Sequence, residues 1–511
     1  MAKTHNLARK IRIALAALFF TGITLLFLDL SGVLHHWLGW MAKVQFFPAV
    51  LSLSFITVAV IAIITLVFGR VYCSVICPLG VFQDIISWFH GRTSKKARRR
   101  FKHRKALNWL RYSMLVLFIA GCSLGVISIA ALIEPYSAYG RIASELFAPI
   151  YRWGNNLFAG IESHFESYTF YTSEVWFKSI ASLAAAIATV SLLGFLSWKW
   201  GRIWCNSICP VGSVLSILSR YSLFAPTIDL EKCRNCHSCE KVCKSSCIDS
   251  HNKKIDYSRC VVCMDCLDEC SFGAIRYEFR YKKSPETADS GRREFLKRSA
   301  LSAGAVALAG MGLSDRIMAE GHRGQFGGKS ADGVNPESAA DGNMATPLKP
   351  AGAHSLRHFS DHCIACQLCV ASCPNNVLQP SREGKFLMQP EMNYSRGYCR
   401  PECNKCSTIC PTGAILPVSK EEKTAVSIGY AQVEFDSCIA YNGLADCGNC
   451  ARHCPAGAIR MVRRNPEEND SPRIPVVNKE RCIGCGACEY NCPAKPVKAI
   501  RVHGYEVHIK R

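Results

Sequence analysis

Apolar positions gather into four long runs in the N-terminal part of the chain, at 13–34, 46–69, 112–133 and 179–198. A helix needs about 20 apolar residues to cross a bilayer, so each run predicts a membrane span. The last three hold no charged residue, whereas Asp29 interrupts the first. Beyond residue 220 the pattern changes: short stretches of mixed polarity separate tight groups of cysteines. That alternation predicts loops, turns and hairpins, with few long helices.

The charges orient the spans. Lys3, Arg9, Lys10 and Arg12 precede the first run. Arg92, Lys95, Lys96, Arg98, Arg99, Arg100, Lys102, Arg104, Lys105 and Arg111 follow the second, with no acid among them. Lysine and arginine hold such segments on the cytoplasmic side. After the third run, Glu134, Glu145, Glu162, Glu166 and Glu174 face only Arg141, Arg152 and Lys178, which suits the outside. Trp37 and Trp40 at one face, and Trp198, Trp200 and Trp204 at the other, fit interfacial aromatics. The pattern predicts four spans with the N-terminus inside and residues 199–290 returning to the cytoplasm. The formal charge of +22 is then explained by a solvated loop beside a lipid bilayer, and no nucleic-acid partner is expected.

The bundle contains a repeat. Gly69-Arg70-Val71-Tyr72-Cys73-Ser74-Val75-Ile76-Cys77-Pro78 recurs as Gly201-Arg202-Ile203-Trp204-Cys205-Asn206-Ser207-Ile208-Cys209-Pro210. Each copy ends a predicted span on the cytoplasmic side, which predicts two helical hairpins related by a pseudo-twofold. Cysteines four apart share one face of a helix. Cys73, Cys77, Cys205 and Cys209 could therefore meet as four thiolates, a redox or additional metal site, although capping and packing of the helix ends would also use them. Cys122, alone in the third run, reads as a small buried hydrophobe.

The chain has thirty cysteines. A disulfide scaffold so rich in cysteine is normally short, and the groups here have ligand spacing. Cys233, Cys236, Cys239 and Cys243, then Cys260, Cys263, Cys266 and Cys270, follow a C-x2-C-x2-C-x3-C pattern. Three thiolates from one short loop hold one face of a cube, and the fourth comes from the other loop. The expected sets are Cys233, Cys236 and Cys239 with Cys270, and Cys260, Cys263 and Cys266 with Cys243. Cys247 is left over. Cys233-Arg-Asn-Cys236-His237 also matches a haem c attachment motif, and zinc takes four thiolates, but the repeated triple spacing favours iron–sulfur over both.

Four further sets follow: Cys363, Cys366, Cys369, Cys373; Cys399, Cys403, Cys406, Cys410; Cys438, Cys447, Cys450, Cys454; and Cys482, Cys485, Cys488, Cys492. Each ends before a proline, at 374, 411, 455 and 493. The middle two have a stretched first interval, with Tyr441-Asn442-Gly443 inside the longer one. Pairing of the outer sets with each other, and of the inner sets, is the expectation for the exchanged fourth ligand, although spacing also allows neighbours to pair. With the first two sets this predicts about six [4Fe-4S] clusters.

Between the two cysteine-rich parts lies Ser290-Gly291-Arg292-Arg293-Glu294-Phe295-Leu296-Lys297, followed by an uncharged stretch at 300–313. Paired arginines before a short, weakly apolar run have the form of a twin-arginine export signal. If uncleaved, the run stays as a further anchor. A Gly/Ala/Pro-rich linker at about 320–350 follows.

Residues 1–281 resemble the NapH/MauN type of membrane ferredoxin, which combines four spans, two C-x3-C-P motifs and two cluster motifs. Residues 290–511 resemble the NapG/MauM type, with the twin-arginine signal, Leu348-Lys349-Pro350-Ala351-Gly352-Ala353 and four cluster motifs. Here the two types are fused, membrane part first. The expected fold is an α-helical membrane bundle (1–220), a cytoplasmic two-cluster α+β ferredoxin domain (221–281), a signal or anchor (282–319), a linker (320–350) and a four-cluster ferredoxin-like domain (351–511), periplasmic if exported. The resemblance implies an inner-membrane quinol dehydrogenase component. Electrons would leave the membrane quinone pool and reach a periplasmic redox protein or reductase. Quinol oxidation also needs a proton acceptor, and Asp29, His35, His36 and Glu134 fall near the predicted outer face. The alternative is a maturation factor for a redox or metal centre, related to the CcoG and NosR types. No hydrolytic constellation, phosphate-binding glycine loop or dinucleotide fingerprint stands out.

Overall fold

A computed structural model of the chain describes residues 2–29, 32–94, 97, 99–163, 165, 172–281, 346–384, 386–468 and 471–511. The twin-arginine stretch, the apolar run after it and nearly all of the linker lie outside the described residues. Residues 1–278 and 345–511 form one compact unit, and residues 279–344 another.

Among the described residues, two helices are long and apolar enough to cross a membrane, Leu7–Leu28 and Ile180–Trp200. The first ends earlier than its apolar run because Asp29 turns the chain. Its carboxylate accepts from the Gly32 N–H at 2.8 Å, and Gly32 takes a left-handed φ of 83°. The second and third runs, expected as unbroken spans, are divided. A short helix, Phe46–Leu51, is separated from Phe55–Phe68 by Leu53 at φ 53°. The 14 residues of Phe55–Phe68 rise about 21 Å, less than the ~30 Å hydrocarbon core. Asn108–Ser123 stops at Gly125, φ 73°, before a single turn at Ile127–Ala130. Phe55, Ile56, Trp109, Val116 and Ile180 are exposed along these helices, leaving apolar flanks suited to lipid.

The two copies of the Gly-Arg motif follow the same local course. Gly69 and Gly201 take φ 77° and 68°, and short helices follow at Val71–Val75 and Ile203–Ser207. Cys77 and Cys209 then sit in extended conformation as N-caps of Pro78–Thr93 and Pro210–Ser219. The cysteines of each copy therefore straddle a break instead of sharing one helical face. Proline has no N–H to continue the first helix and suits the first position of the next, so the helix restarts there.

The arginines cross between copies. Arg70 reaches the Asn206 side-chain oxygen at 2.8 Å and the Cys205 carbonyl at 3.1 Å. Arg202 donates to the Cys73 carbonyl at 2.6 Å and holds Asp84 through two bonds of 3.0 and 2.7 Å. Gly80 and Gly212 leave room for this. A Cβ at either would stand 2.3 or 2.2 Å from the carbonyl of Cys73 or Cys205.

The cysteine-rich segments are held by two-stranded sheets. Phe224–Ile228 pairs with Ile275–Phe279, and Ile248–Asp249 with Lys254–Ile255. Farther on, Leu378–Pro380 pairs with Pro390–Met392, Ile459–Arg463 with Arg473–Val477, and Val426–Val433 with Ile500–Lys510. The last pair runs antiparallel, with Ile500 opposite Val433 and His503 opposite Tyr430. Segment 351–511, expected as a domain of its own, packs directly on the helices. Ile364, Cys366, Leu368 and Ala371 share one apolar core with Phe27, Tyr136 and Tyr139.

Candidate metal centres

The regular cysteine loops share one backbone device. In each, the residues just before and just after the second cysteine are left-handed: Asn235 and His237, Val262 and Met264, Ala365 and Gln367, Gly484 and Gly486. Six of the eight carry side chains, at a cost of roughly 1 kcal/mol or more each. The reversals curl the backbone so that three thiols point inward.

Cys233, Cys236, Cys239 and Cys270 line one cavity. Cys260, Cys263 and Cys266 line a second together with Cys243. Each group contains the fourth cysteine expected from the opposite loop. Cys247, which spacing left unassigned, lines the second cavity as well.

In the C-terminal segment the neighbouring sets come together, contrary to the pairing expected above. Cys410 lies within electrostatic reach of Cys363, Cys366 and Cys369. Cys373 stands in the same relation to Cys399 and Cys406. Cys454 approaches Cys482, Cys485 and Cys488, while Cys438, Cys447, Cys450 and Cys492 line one cavity. The cause is local. The hairpin Leu378–Pro380/Pro390–Met392 folds the second set back onto the first, and the ladder Ile459–Arg463/Arg473–Val477 does the same for the last two. The stretched interval after Cys438 is taken up by turns, with the Asn442 N–H on the Cys438 carbonyl at 3.1 Å.

Donors converge on the sulfurs, as an anionic thiolate centre requires. The Ala458 N–H lies 3.2 Å from Cys454 Sγ, the Ala431 N–H 3.4 Å from Cys482 Sγ, and Lys423 Nζ 3.1 Å from Cys399 Sγ. Burial pushes the thiols of Cys239 and Cys450 up to about 11 and those of Cys363 and Cys485 up to about 12. Cys236, alone among the thirty in being exposed, has its thiol lowered by the Ser238 N–H and hydroxyl. Among the described residues no three His, Cys, Asp or Glu side chains close on a single metal ion. The thiols ring cavities instead, which fits a cube better than a tetrahedral zinc.

Cys73, Cys77, Cys205 and Cys209, all buried, also meet. Cys77 lies within electrostatic reach of Cys73 and Cys205, and Cys209 of all three. Gln83 Nε2 is 3.3 Å from Cys205 Sγ, the Gly212 N–H 3.3 Å from Cys209 Sγ, and Arg70 Nη2 3.7 Å from Cys73 Sγ. Arg70 is fully buried, and its other partners are Asn206 and the carbonyls of Ser258 and Cys205. None carries a full charge. A buried guanidinium calls for an anion, and the four sulfurs are the groups placed to supply one.

Both cysteine-rich parts abut this quartet. On one side the Arg202 N–H donates to the Lys244 carbonyl at 2.9 Å, next to Cys243, and Arg9 pairs with Asp265 and Asp268 at 2.9 and 2.8 Å. On the other, the helix Pro135–Ile142 lies on the loop of Cys366, and a Cβ on Gly140 would stand 2.3 Å from the Cys366 carbonyl. Gln367 bonds Ser182 at 2.7 Å, and Lys178 bonds the Val370 carbonyl at 2.5 Å. Glu134, the N-cap of that helix with its carboxylate on the Ser137 N–H, lies within electrostatic reach of both Cys77 and Cys366.

The remaining proton-acceptor candidates divide. Asp29 and His35 meet, Oδ2 to Nδ1 at 3.0 Å, and His35 Nε2 reaches Ser372 Oγ at 3.3 Å, beside Cys373. His36 is exposed and packs edge-on against Trp37. Lys423 gave no signal in the sequence, being hidden in a polar run. Lys349, quoted above only as part of the Leu348–Ala353 stretch, is almost fully buried, with its ammonium over the rings of Phe359 and Phe386 at 5.1 and 4.8 Å.

A 4Fe-4S binding domain matches residues 51–96 and again 181–228, and a 4Fe-4S dicluster domain matches 362–414 and 445–495. The chain is 24% identical to the ferredoxin-type protein NapH of Haemophilus influenzae, over 46% of this chain and 71% of that protein. It is 26% identical to NapH of Escherichia coli, over 44% of this chain and 67% of that protein. The methylamine utilization ferredoxin-type protein MauM of Methylobacillus flagellatus is 33% identical over 27% of this chain and 61% of its own length. No solved structure matches.

Proposed function

Taking as premise that this chain is a ferredoxin of the NapH/MauN type, an iron–sulfur electron-transfer protein holding [4Fe-4S] clusters, we propose that it relays electrons from membrane quinol to an acceptor outside the membrane. Six clusters take the sets described: Cys233, Cys236, Cys239 with Cys270; Cys260, Cys263, Cys266 with Cys243; Cys363, Cys366, Cys369 with Cys410; Cys399, Cys403, Cys406 with Cys373; Cys438, Cys447, Cys450 with Cys492; and Cys482, Cys485, Cys488 with Cys454. Cys73, Cys77, Cys205 and Cys209 hold one more centre.

The observation that carries the reading is contiguity. The turn at Lys244 touches Arg202, the quartet follows, and Glu134 lies within electrostatic reach of both Cys77 and Cys366. Without the quartet, the two cysteine-rich parts would face each other across a hydrocarbon core ~30 Å thick. The Arg70 guanidinium, whose hydrogen-bond partners other than Cys73 Sγ are all neutral among the described residues, and the two domain matches over the Gly-Arg copies support a metal-holding role for the quartet.

A quinol gives up two electrons and two protons, and each cluster accepts one electron at a time. The Asp29–His35 pair, a carboxylate and an imidazole beside Cys373, is the favoured proton acceptor. The bundle then makes four crossings, Phe55–Phe68 and Asn108–Ser123 being the short ones. The acidic loop 134–174 and the segment 351–511 face the outside, and export follows the twin-arginine stretch.

A reporter fused after Arg511 tests the arrangement. Periplasmic activity is expected, and cytoplasmic activity contradicts it. Quinol added to anaerobic vesicles should reduce the clusters; silence over the range of membrane quinones contradicts the donor.

A further inference from the structure

A cube bound by cysteines needs four thiolates, yet the cavity of the second loop is lined by five: Cys243, Cys247, Cys260, Cys263 and Cys266. We propose that Cys243 and Cys247 are alternative fourth ligands of this one centre, so that either thiol holds it when the other is lost. The inference rests on the reading that the cavity holds a cluster.

The fifth thiol is brought there by the backbone. The chain turns at once after Cys243: the Ser246 N–H donates to the Cys243 carbonyl at 2.9 Å, and Ser246 itself takes φ 50°. The reversal brings two cysteines four apart to a sulfur–sulfur distance of 3.5 Å, outside any regular helix. Cys247 is only 2% exposed and also contacts the Cys260 thiol. The Asp256 N–H on the Cys247 carbonyl at 2.8 Å, and the pairing of Ile248 with Ile255, fix it there. A cysteine needed only as a hydrophobe would not have to face the two ligand sulfurs of Cys243 and Cys260.

Exchange between the two is balanced. With a cluster bound, the Cys243 thiolate would leave its iron and take the proton of the Cys247 thiol, whose thiolate would bind the vacated iron. One iron–sulfur bond would break, one would form, one proton would move from Cys247 to Cys243, and no electron would be gained or lost. The unbound thiol meanwhile stays close enough to donate to the bound sulfur. The turn carrying both is pinned to the Gly-Arg motif by the Arg202 N–H on the Lys244 carbonyl. A spare ligand thus protects the centre whose turn is pinned to the Gly-Arg motif.

The test is the iron and acid-labile sulfide content of full-length Cys243→Ala, Cys247→Ala and the double variant, purified anaerobically. Each single variant is expected to match the parent, and the double to lose about four iron and about four sulfide. Loss in Cys243→Ala alone, loss in Cys247→Ala alone, or retention in the double each overturns the proposal. Spectra of the remaining clusters report folding. If the double variant is lost altogether, Cys243→Ser and Cys247→Ser singles decide by the same counts. A parent protein already short of about four iron overturns the cluster reading and the proposal with it, whereas loss in one single variant overturns the proposal alone, so the two failures are distinct.

Discussion

Lys423 offers a sharp test of the charge placed around the thiols. It sits on a short helix, Lys420–Thr424, whose start is fixed by a capping box: the Glu422 N–H on Ser419 Oγ at 3.1 Å and the Ser419 N–H on Glu422 Oε2 at 2.9 Å. Its ammonium bonds Cys399 Sγ at 3.1 Å, the Arg400 carbonyl at 2.6 Å and the Cys403 carbonyl. The electron entering that centre spreads over a cube whose middle is roughly 6 Å from Nζ, allowing for the size of a [4Fe-4S] unit. At an effective dielectric near 20 the attraction is about 3 kcal/mol. With 59 mV per tenfold for a one-electron couple, this is on the order of 100 mV. Lys423→Met should therefore lower one of the couples by about that amount, while Lys423→Arg keeps most of it. The assay is a potentiometric titration of the full chain followed by EPR, with iron content as the control. If every couple stays within about 20 mV of the parent while iron is fully retained, the electrostatic reasoning is wrong.

Removing the buried guanidinium beside the cysteine quartet, by Arg70→Met, should cost about four iron per chain and leave the other sets filled; unchanged iron contradicts the anionic quartet. Loading of the apo protein should improve as pH rises. Thiols pushed up to about 11 or 12 are protonated at neutral pH and must release a proton to bind, up to about tenfold per ligand per pH unit; a flat profile from pH 6 to 8 refutes this. Burial and the nearby His354 lower His508 from 6.5 to about 4. Its contribution to stability is therefore whole above pH 6.5 and is lost as pH falls toward 4, up to about 3 kcal/mol in all. Thermal melts of His508→Gln should show a smaller acid loss. Gly486→Ala should destabilise the last cysteine loop by several kcal/mol, since a Cβ there would stand 2.2 Å from the Tyr394 ring; an unchanged melting temperature counts against that packing.

The cysteine sets were legible in the sequence because ligand spacing is a local property. A loop of seven residues either can or cannot wrap a cube, whatever surrounds it. Pairing was not legible, because it depends on where the hairpin at Leu378–Met392 folds the chain, and its strands are only three residues each. The break between Cys73 and Cys77 was signalled by Pro78 and is repeated at Pro210; spacing alone suggested one continuous helix face. Gly125 marked the interruption of the third run, whereas the left-handed Leu53 gave no sign in its residue type. Cys247 fell outside the repeating interval, and only the turn at Ser246 brings it to Cys243. Asp29 and His35 were candidates from polarity alone. Their meeting depends on the turn at Gly32, and their link to Ser372 on packing between distant parts of the chain.

Contiguity across the quartet can be measured by counting reduced-cluster spins. Vesicles holding the full chain are mixed with quinol, frozen within milliseconds, and compared with Cys77→Ser/Cys209→Ser vesicles whose other six sets carry full iron. The account predicts that both cysteine-rich parts become reduced in the parent and that only one does so in the variant. Equal reduction of both parts, at equal rates, in the absence of those two thiols would contradict it.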